Sequence, residues 1–289
     1  MQDQIASRTA LRVAVRRAEH QILDVPRVFE DALSVRIIGP EAAAKIVPGV
    51  VSRTQRLSPS FRAYMAVRSR YAEDELAAAV DAGVRQYVVL GAGLDTFGYR
   101  NPHAAAGLRV FEVDHPATQA WKRERLAEAG IPIPPHTTLV PANFEQHSLE
   151  EELRPTGFRF DEPAFFSWLG VTPYLTDRAF EQTLAFVAAM PAPGGIVFDY
   201  AVPREGLNPV QQKAFDALAE RVANAGEPFQ LFLDPEALRA RLHSLGFSGV
   251  EDLDYLAMNA RYFADRTDGL RVRGRLARLI SATRSPARR

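Results

Sequence analysis

The sequence predicts an α/β fold built on a mostly parallel sheet, and three observations predict it. From residue 86 onward, short apolar runs alternate with stretches of helical periodicity. The first run, Tyr87-Val88-Val89-Leu90, breaks at the tight corner Gly91-Ala92-Gly93. The second, Leu108 to Asp114, ends in an acid about twenty residues further on, the spacing of a nucleotide-type βαβ unit. Strand–helix alternation of this kind closes by right-handed crossovers into a Rossmann-like sheet.

Residues 1–83 read as a separate helical cap. Ala10 to Leu23 has apolar positions at helical spacing and stops at Asp24-Val25-Pro26, where proline removes a donor. Glu41 to Val47 is a short helix stopped by Pro48-Gly49, and Pro59 to Ala82 is a longer one stopped by Gly83. Residues 84–289 then carry the sheet. After the first two strands, His115-Pro116 opens a helix over Ala117 to Ala129. Thr138 to Val140 and Ala164 to Leu169 are the third and fourth strands. A helix from Asp177 to Met190 follows, and Pro193-Gly194-Gly195 turns into the fifth strand, Ile196 to Tyr200. An insertion at about 203–233 holds an amphipathic helix from Pro209 to Ala225. Asp234 caps another helix, Glu236 to Leu245, and the remainder carries one or two further strands, with Leu276 to Ala282 the best candidate for the last.

Bulk composition narrows the function. Formal net charge is +0, so no global field attracts nucleic acid or an anionic membrane. The chain has no cysteine, which excludes a disulfide framework, a thiolate nucleophile and cysteine-built zinc sites. No metal site is expected. The first residues lack the apolar core of a signal peptide and no run is long enough to span a bilayer. The expected setting is cytoplasmic, as a monomer or homodimer without membrane or nucleic-acid partners.

The glycine corner and the strand-end acid point to a nucleoside-type cofactor. Glycine lets backbone approach a ligand where a Cβ would collide, and Asp114, with Glu112 two residues earlier on the same strand face, suits a ribose diol. A dinucleotide fingerprint wants a third glycine where pyrophosphate meets the helix. Thr96 stands there, and Asp95 puts a carboxylate where phosphates would come. Both favour a cofactor without phosphates, S-adenosylmethionine.

"VVLGAGLDTFGYR" at Val88 to Arg100, "VFEVDHPATQAWKRERL" at Val110 to Leu126 and "FFSWLGVTPYL" at Phe165 to Leu175 closely resemble the leucine carboxyl methyltransferase-like family, which includes bacterial polyketide O-methyltransferases. "RRAEHQILDVPRVFED" at Arg16 to Asp31 resembles its opening segment. The resemblance implies a class I methyltransferase sheet, mostly parallel with an antiparallel last strand, plus an N-terminal helical cap and a helical insertion. It implies cofactor contacts at Gly91, Ala92, Gly93, Asp95, Glu112 and Asp114, with Arg68 reaching the cofactor carboxylate. Arg70 reads as a solvated neighbour. Asn143-Phe144 stands where the family has Asp and an apolar residue against adenine. Leu169-Gly170 stands where many members carry Glu-Gly, so details of the carboxyl methyltransferases proper, their protein substrate included, do not transfer. Tyr174 matches the family tyrosine and serves equally as a core aromatic.

The expected reaction is O-methylation of a hydroxyl or carboxyl on a small-molecule acceptor. A hydroxyl gains from a general base, for which His20 and His115 are candidates, with Tyr174 or Tyr200 orienting. His115 more simply caps the next helix. The insertion residues Phe215, Phe229, Leu231 and Phe232 suit an apolar acceptor but equally pack a lid, the simpler expectation. The alternatives are a protein C-terminal carboxyl methyltransferase, a catalytically silent S-adenosylmethionine-binding protein and a nicotinamide oxidoreductase; Thr96 and Asp95 count against the last.

Overall fold

The computed structural model describes residues 8–47, 58–143, 148–224 and 228–285. In chain order its elements are α1 (Arg8–Leu23), α2 (Ser34–Ile37), α3 (Pro40–Ala43), α4 (Ser58–Asp81), β1 (Gln86–Leu90), α5 (Phe97–Arg100), β2 (Arg109–Asp114), α6 (Pro116–Glu128) and β3 (Thr137–Pro141). There follow α7 (Leu149–Leu153), β4 (Phe165–Trp168), α8 (Asp177–Ala189), β5 (Gly194–Ala201), α9 (Pro209–Ala223), α10 (Pro235–Ser244), β6 (Gly249–Leu253), α11 (Tyr255–Tyr262) and β7 (Ala277–Arg284).

Among the described residues the strands form one seven-stranded sheet in the order β3-β2-β1-β4-β5-β7-β6. Pairing is parallel from β3 to β5, and β7 runs antiparallel to both β5 and β6. This is the expected Rossmann-like sheet with an antiparallel last strand. Side chains alternate between its faces. Val88, Leu90, Phe111, Val113, Phe166 and Trp168 pack with α8 and α10 in one core. Tyr87, Val89, Val110 and Phe165 pack with α4 and Met258 of α11 in the other. Burial on both faces is why β1 and β4 read as unbroken apolar runs.

Helix starts follow local chemistry. Thr176 accepts from the Ala179 N–H to start α8, and Asp234 accepts from the N–H groups of Glu236 and Ala237 to start α10. Asp234→Ala should therefore cost about 1 kcal/mol and lower Tm by about 2–4 °C in a chain of this size, read by circular dichroism; an unchanged Tm would show the cap idle.

Several elements differ from expectation. The helix expected at Glu41 to Val47 is one turn at α3, and Pro48-Gly49 lies outside the described residues. β6, the second of the one or two further strands expected after residue 245, is an edge strand with only Leu253 buried and with Glu251 and Asp252 in its middle, so no apolar run marks its place. In the insertion, Phe215 stacks on Phe229 at 6.2 Å and meets Phe232 edge-on at 5.6 Å, so the aromatics pack one another. Gln230 N and Leu231 N both donate to the Pro173 carbonyl, which pins this segment beside the loop after β4.

Candidate active site

β1 and β4 are neighbours in the sheet, but the chain leaves β1 toward β2 and β3 before it returns to β4. A crevice opens at the carboxyl ends of such strands. The corner after β1 turns through Gly91 (φ 66°) and Gly93 (φ 48°), both in the left-handed region that favours glycine. Gly91 N and Ala92 N donate to the Val113 carbonyl at 2.8 and 3.1 Å, and Gly93 N donates to the Asp114 carboxylate. The corner is thus tied to the end of β2. A Cβ on Gly91 would lie 2.2 Å from Cγ2 of Val171, so this glycine admits the loop after β4.

A cavity of about 440 Å³ sits over these strand ends, within the usual range of small-molecule sites. Its floor follows the sheet order: Ala142 and Asn143 after β3, Asp114 and His115 after β2, Gly91 to Asp95 after β1, and Leu169 to Val171 after β4. α1 adds Thr9, Ala10, Val13, Ala14 and Arg17, and α4 adds Arg68, Ser69, Ala72 and Glu73. Tyr174, Leu175, Pro228 and Gln230 line it from the segments beyond β4 and α9, and Tyr87, Val89, Leu90, Phe97 and Ser167 complete it.

Most of the residues singled out from sequence meet here. Gly91, Ala92, Gly93, Asp95, Asp114, Asn143, Arg68 and Tyr174 all line the cavity. Phe144 lies outside the described residues. The Asp114 carboxylate accepts from Gly93 N on one oxygen and from His115 N, at 2.7 Å, on the other. Burial pushes its pKa above the usual carboxylate value, against those two N–H groups and the charge of Lys122. Asp95 is also pushed up by burial, but Arg17, Lys122 and Arg100 outweigh that and hold it below its usual value. Arg68 Nη1 donates to Asp199 at 3.0 Å, and Gly170 N donates to the same carboxylate. A Cβ on Gly170 would lie 2.8 Å from Arg68 Nη1, so the guanidinium lies against bare backbone. Arg70 is exposed and paired with Asp74, the solvated role expected of it.

Two sequence assignments need correction. His20 is fully buried away from the cavity. Its Nδ1 is 2.7 Å from Asp24, and Nε2 accepts from Val28 N and Phe29 N. Both ring nitrogens are used to fold the turn after α1, so His20 offers no base to a substrate. Glu112, although on the Asp114 face of β2, is fully buried and does not line the cavity. Its Oε2 lies 2.6 Å from Lys122 Nζ and accepts from the Tyr99 hydroxyl at 2.7 Å. His115 caps α6, accepting from Ala117 N.

Sequence reasoning missed Arg17, Glu73 and Asp199. Arg17 is buried, bridges Asp31 at 2.6 Å and Asp95 at 2.8 Å, and donates to Thr96. Glu73 pairs with Arg100. The available signal for Arg17 was its place on an apolar stripe with Val13, Ala14 and Ala18, where a lone charge needs a partner.

The family model for leucine carboxyl methyltransferase matches residues 10–188. The chain belongs to that family. YktD of Bacillus subtilis (strain 168), provisionally named an S-adenosyl-L-methionine-dependent methyltransferase, is 30% identical over 290 residues, spanning 92% of this chain and 94% of its own. A similarly named protein of Mycolicibacterium paratuberculosis (strain ATCC BAA-968 / K-10) is 34% identical over 231 residues, 73% of this chain and 71% of its own. The fold matches a crystal structure from Thermobifida fusca YX, provisionally described as a methyltransferase, with TM-score 0.57 at 19% identity over 95% of this chain and 94% of the other. Methyl transfer is the reaction class of this chain and S-adenosylmethionine its cofactor.

Proposed function

We propose that the chain moves the methyl group of S-adenosylmethionine onto a hydroxyl or carboxyl oxygen of a small-molecule acceptor. The observation that carries this reading is one continuous cavity whose floor is the β1 corner and Asp114 and whose wall beyond β4 is apolar at Leu169, Val171 and Leu175.

The lining fits the cofactor in kind. Each Asp114 oxygen accepts one backbone N–H and keeps a lone pair for a ribose hydroxyl. Arg68 spends Nη1 on Asp199, which leaves its other N–H groups to a carboxylate. Nε of the buried Arg17 has no hydrogen-bond partner among the described residues, a further donor beside the corner. Ala142 and Asn143 stand after β3, at the adenine end that the family resemblance implies. When bound, the cofactor supplies a methyl group already activated on a sulfonium.

What remains for the protein is alignment and exclusion of water. Val13 of α1, with Leu169, Val171 and Leu175 beyond β4, gives the acceptor an apolar seat. Tyr174, its ring 5.4 Å from that of Phe229, adds a polar tip at that wall. The pinned segment at Pro228 to Gln230 closes it.

Calorimetry with S-adenosylmethionine, S-adenosylhomocysteine and reduced nicotinamides tests the cofactor half: the first two should bind and the nicotinamides should not. Methyl transfer from a labelled donor to a panel of small hydroxyl and carboxyl compounds tests the acceptor half. Base-labile product marks an ester and base-stable product an ether. Transfer only to a leucine-terminated protein would overturn the small-molecule reading, and no transfer to any acceptor would mark a silent binding protein.

A further inference from the structure

Arg68 reaches the cavity from α4, yet it is buried and its guanidinium needs a seat. Asp199 of β5 supplies one. Arg68 Nη1 donates to Asp199 Oδ2 at 3.0 Å, and the Tyr64 hydroxyl, one turn earlier on α4, donates to the same oxygen at 3.1 Å. Oδ1 accepts from Gly170 N in the loop after β4. In the same loop the Thr172 hydroxyl donates to the Asp199 carbonyl at 2.5 Å. A Cβ on Gly170 would fall within 3.0 Å of Arg68 Nη2 as well as against Nη1, so the fork lies along bare backbone. Asp199 is buried and does not itself line the cavity. It is the one acid paired with Arg68 among the described residues. Stability alone explains the arrangement poorly, because desolvation of a buried pair offsets its attraction and apolar residues of equal size do as well. Phe198 and Tyr200, the neighbours of Asp199 on β5, show that this strand is otherwise filled by apolar and aromatic side chains.

We propose that Asp199 is a positioning residue for the cofactor: its carboxylate, shared by Arg68, Tyr64 and Gly170 N, holds the Arg68 fork so that the remaining N–H groups meet the amino-acid carboxylate of S-adenosylmethionine. The inference rests on the proposed cofactor site and adds the group that orients its arginine. A free arginine chain gives up rotamer freedom when it grips a ligand, and one already fixed does not. The same acid anchors the loop after β4 at Gly170 and Thr172, so the carboxylate grip and the apolar wall at Leu169 and Val171 share one support. Asp199→Asn isolates the orienting contact. The fixed Gly170 N claims the amide oxygen, the Tyr64 hydroxyl turns to accept from the amide N–H, and Arg68 is left facing a donor. The variant also frees the full charge of Arg68, which acts in the opposite direction, so the sign of the change separates orientation from charge.

Calorimetry on the full chain with two ligands makes the test. S-adenosylhomocysteine carries the amino-acid end, and methylthioadenosine has the adenosine and sulfur without it. In wild type the first should bind at least about tenfold tighter. Asp199→Asn should weaken S-adenosylhomocysteine about tenfold and leave methylthioadenosine within about twofold. Adding Asp199→Asn to Arg68→Met should bring no further loss, because Asp199 acts through Arg68. Equal losses for the two ligands mean a merely structural role, and unchanged or tighter S-adenosylhomocysteine binding means that Asp199 only offsets charge. Either result overturns the proposal, as do additive losses in the double variant. If Asp199→Asn does not fold, Arg68→Lys decides, since it keeps the charge without the fork. It should lose S-adenosylhomocysteine affinity selectively, and full affinity overturns the proposal. Wild type that binds both ligands equally sinks this inference and leaves the corner and Asp114 standing, whereas wild type that binds neither sinks the cofactor reading too.

Discussion

Replacing Asp114 with alanine is expected to weaken S-adenosylmethionine and S-adenosylhomocysteine binding by at least about a hundredfold. Two hydroxyl bonds to a charged acceptor are worth about 1.5–3 kcal/mol each, and every 1.4 kcal/mol is about tenfold in Kd. The loss has a second source. Gly93 N and His115 N would lose the acceptor that fixes the corner to β2, so the glycine turn would hold its shape less well. The fold should survive, because Asp114 is the last residue of β2 and faces the cavity, where water can replace the lost bonds. A fall in Tm of about 2–4 °C with an unchanged far-ultraviolet spectrum is the control. The affinity of wild type should itself fall as pH drops through the raised pKa of Asp114, because the protonated acid loses an acceptor. Equal affinity in wild type and Asp114→Ala would remove Asp114 from the cofactor site.

The residues that were legible in the sequence are those whose role is written in local pattern. Gly91 and Asp114 could be found because a strand, a bare corner and a strand-end acid recur at a fixed spacing. β1, β2, β4 and β5 could be found because both faces of a central sheet are apolar. β6 was expected only as one of one or two further strands and could not be placed, because an edge strand paired only with β7 needs no unbroken apolar run. α7 escaped although its signal was present: Ser148 and Glu151 form a capping box three residues apart. Glu112 was misplaced because period-two alternation gives the face of a strand but not which layer covers it. At Asp114 that face opens on the cavity, and two residues earlier it is closed by Lys122 and Tyr99. His20 was misplaced for a related reason. A histidine on a cap helix looks available until Asp24, Val28 and Phe29 are folded onto both its nitrogens. The Arg17 partners lie 14 and 78 residues away, in the loop after α1 and in the corner, where no local spacing announces them.

Arg17→Met is expected to give the largest loss of stability of any substitution considered. The side chain is buried, and its removal leaves Asp31, fully inaccessible, and Asp95 without their shared cation. Breaking one side of a buried pair costs about 3–5 kcal/mol, which at about 2–4 °C per kcal/mol lowers Tm by about 10 °C. Thr96 and Arg100 still contact Asp31 and limit the damage. Exposed ion pairs offer the contrast: Arg204→Met, opposite Asp216 on the surface, should leave Tm unchanged. The deficit in Arg17→Met should depend on pH with a definite sign. In wild type Asp95 is held below its usual pKa, so its contribution is complete above the unfolded carboxylate value and is lost as pH falls through the depressed one. Without Arg17, burial dominates and the acid protonates at higher pH, which relieves the unpaired charge. The gap in Tm between wild type and variant should therefore be widest near neutrality and narrow toward acid. The same variant should also bind S-adenosylhomocysteine more weakly at neutral pH, because Arg17 joins α1, with its cavity residues Ala10, Val13 and Ala14, to Asp95 and Thr96 of the corner. A variant with wild-type Tm at every pH would mean that α1 is held by its apolar contacts alone and that the buried charges beneath it are incidental.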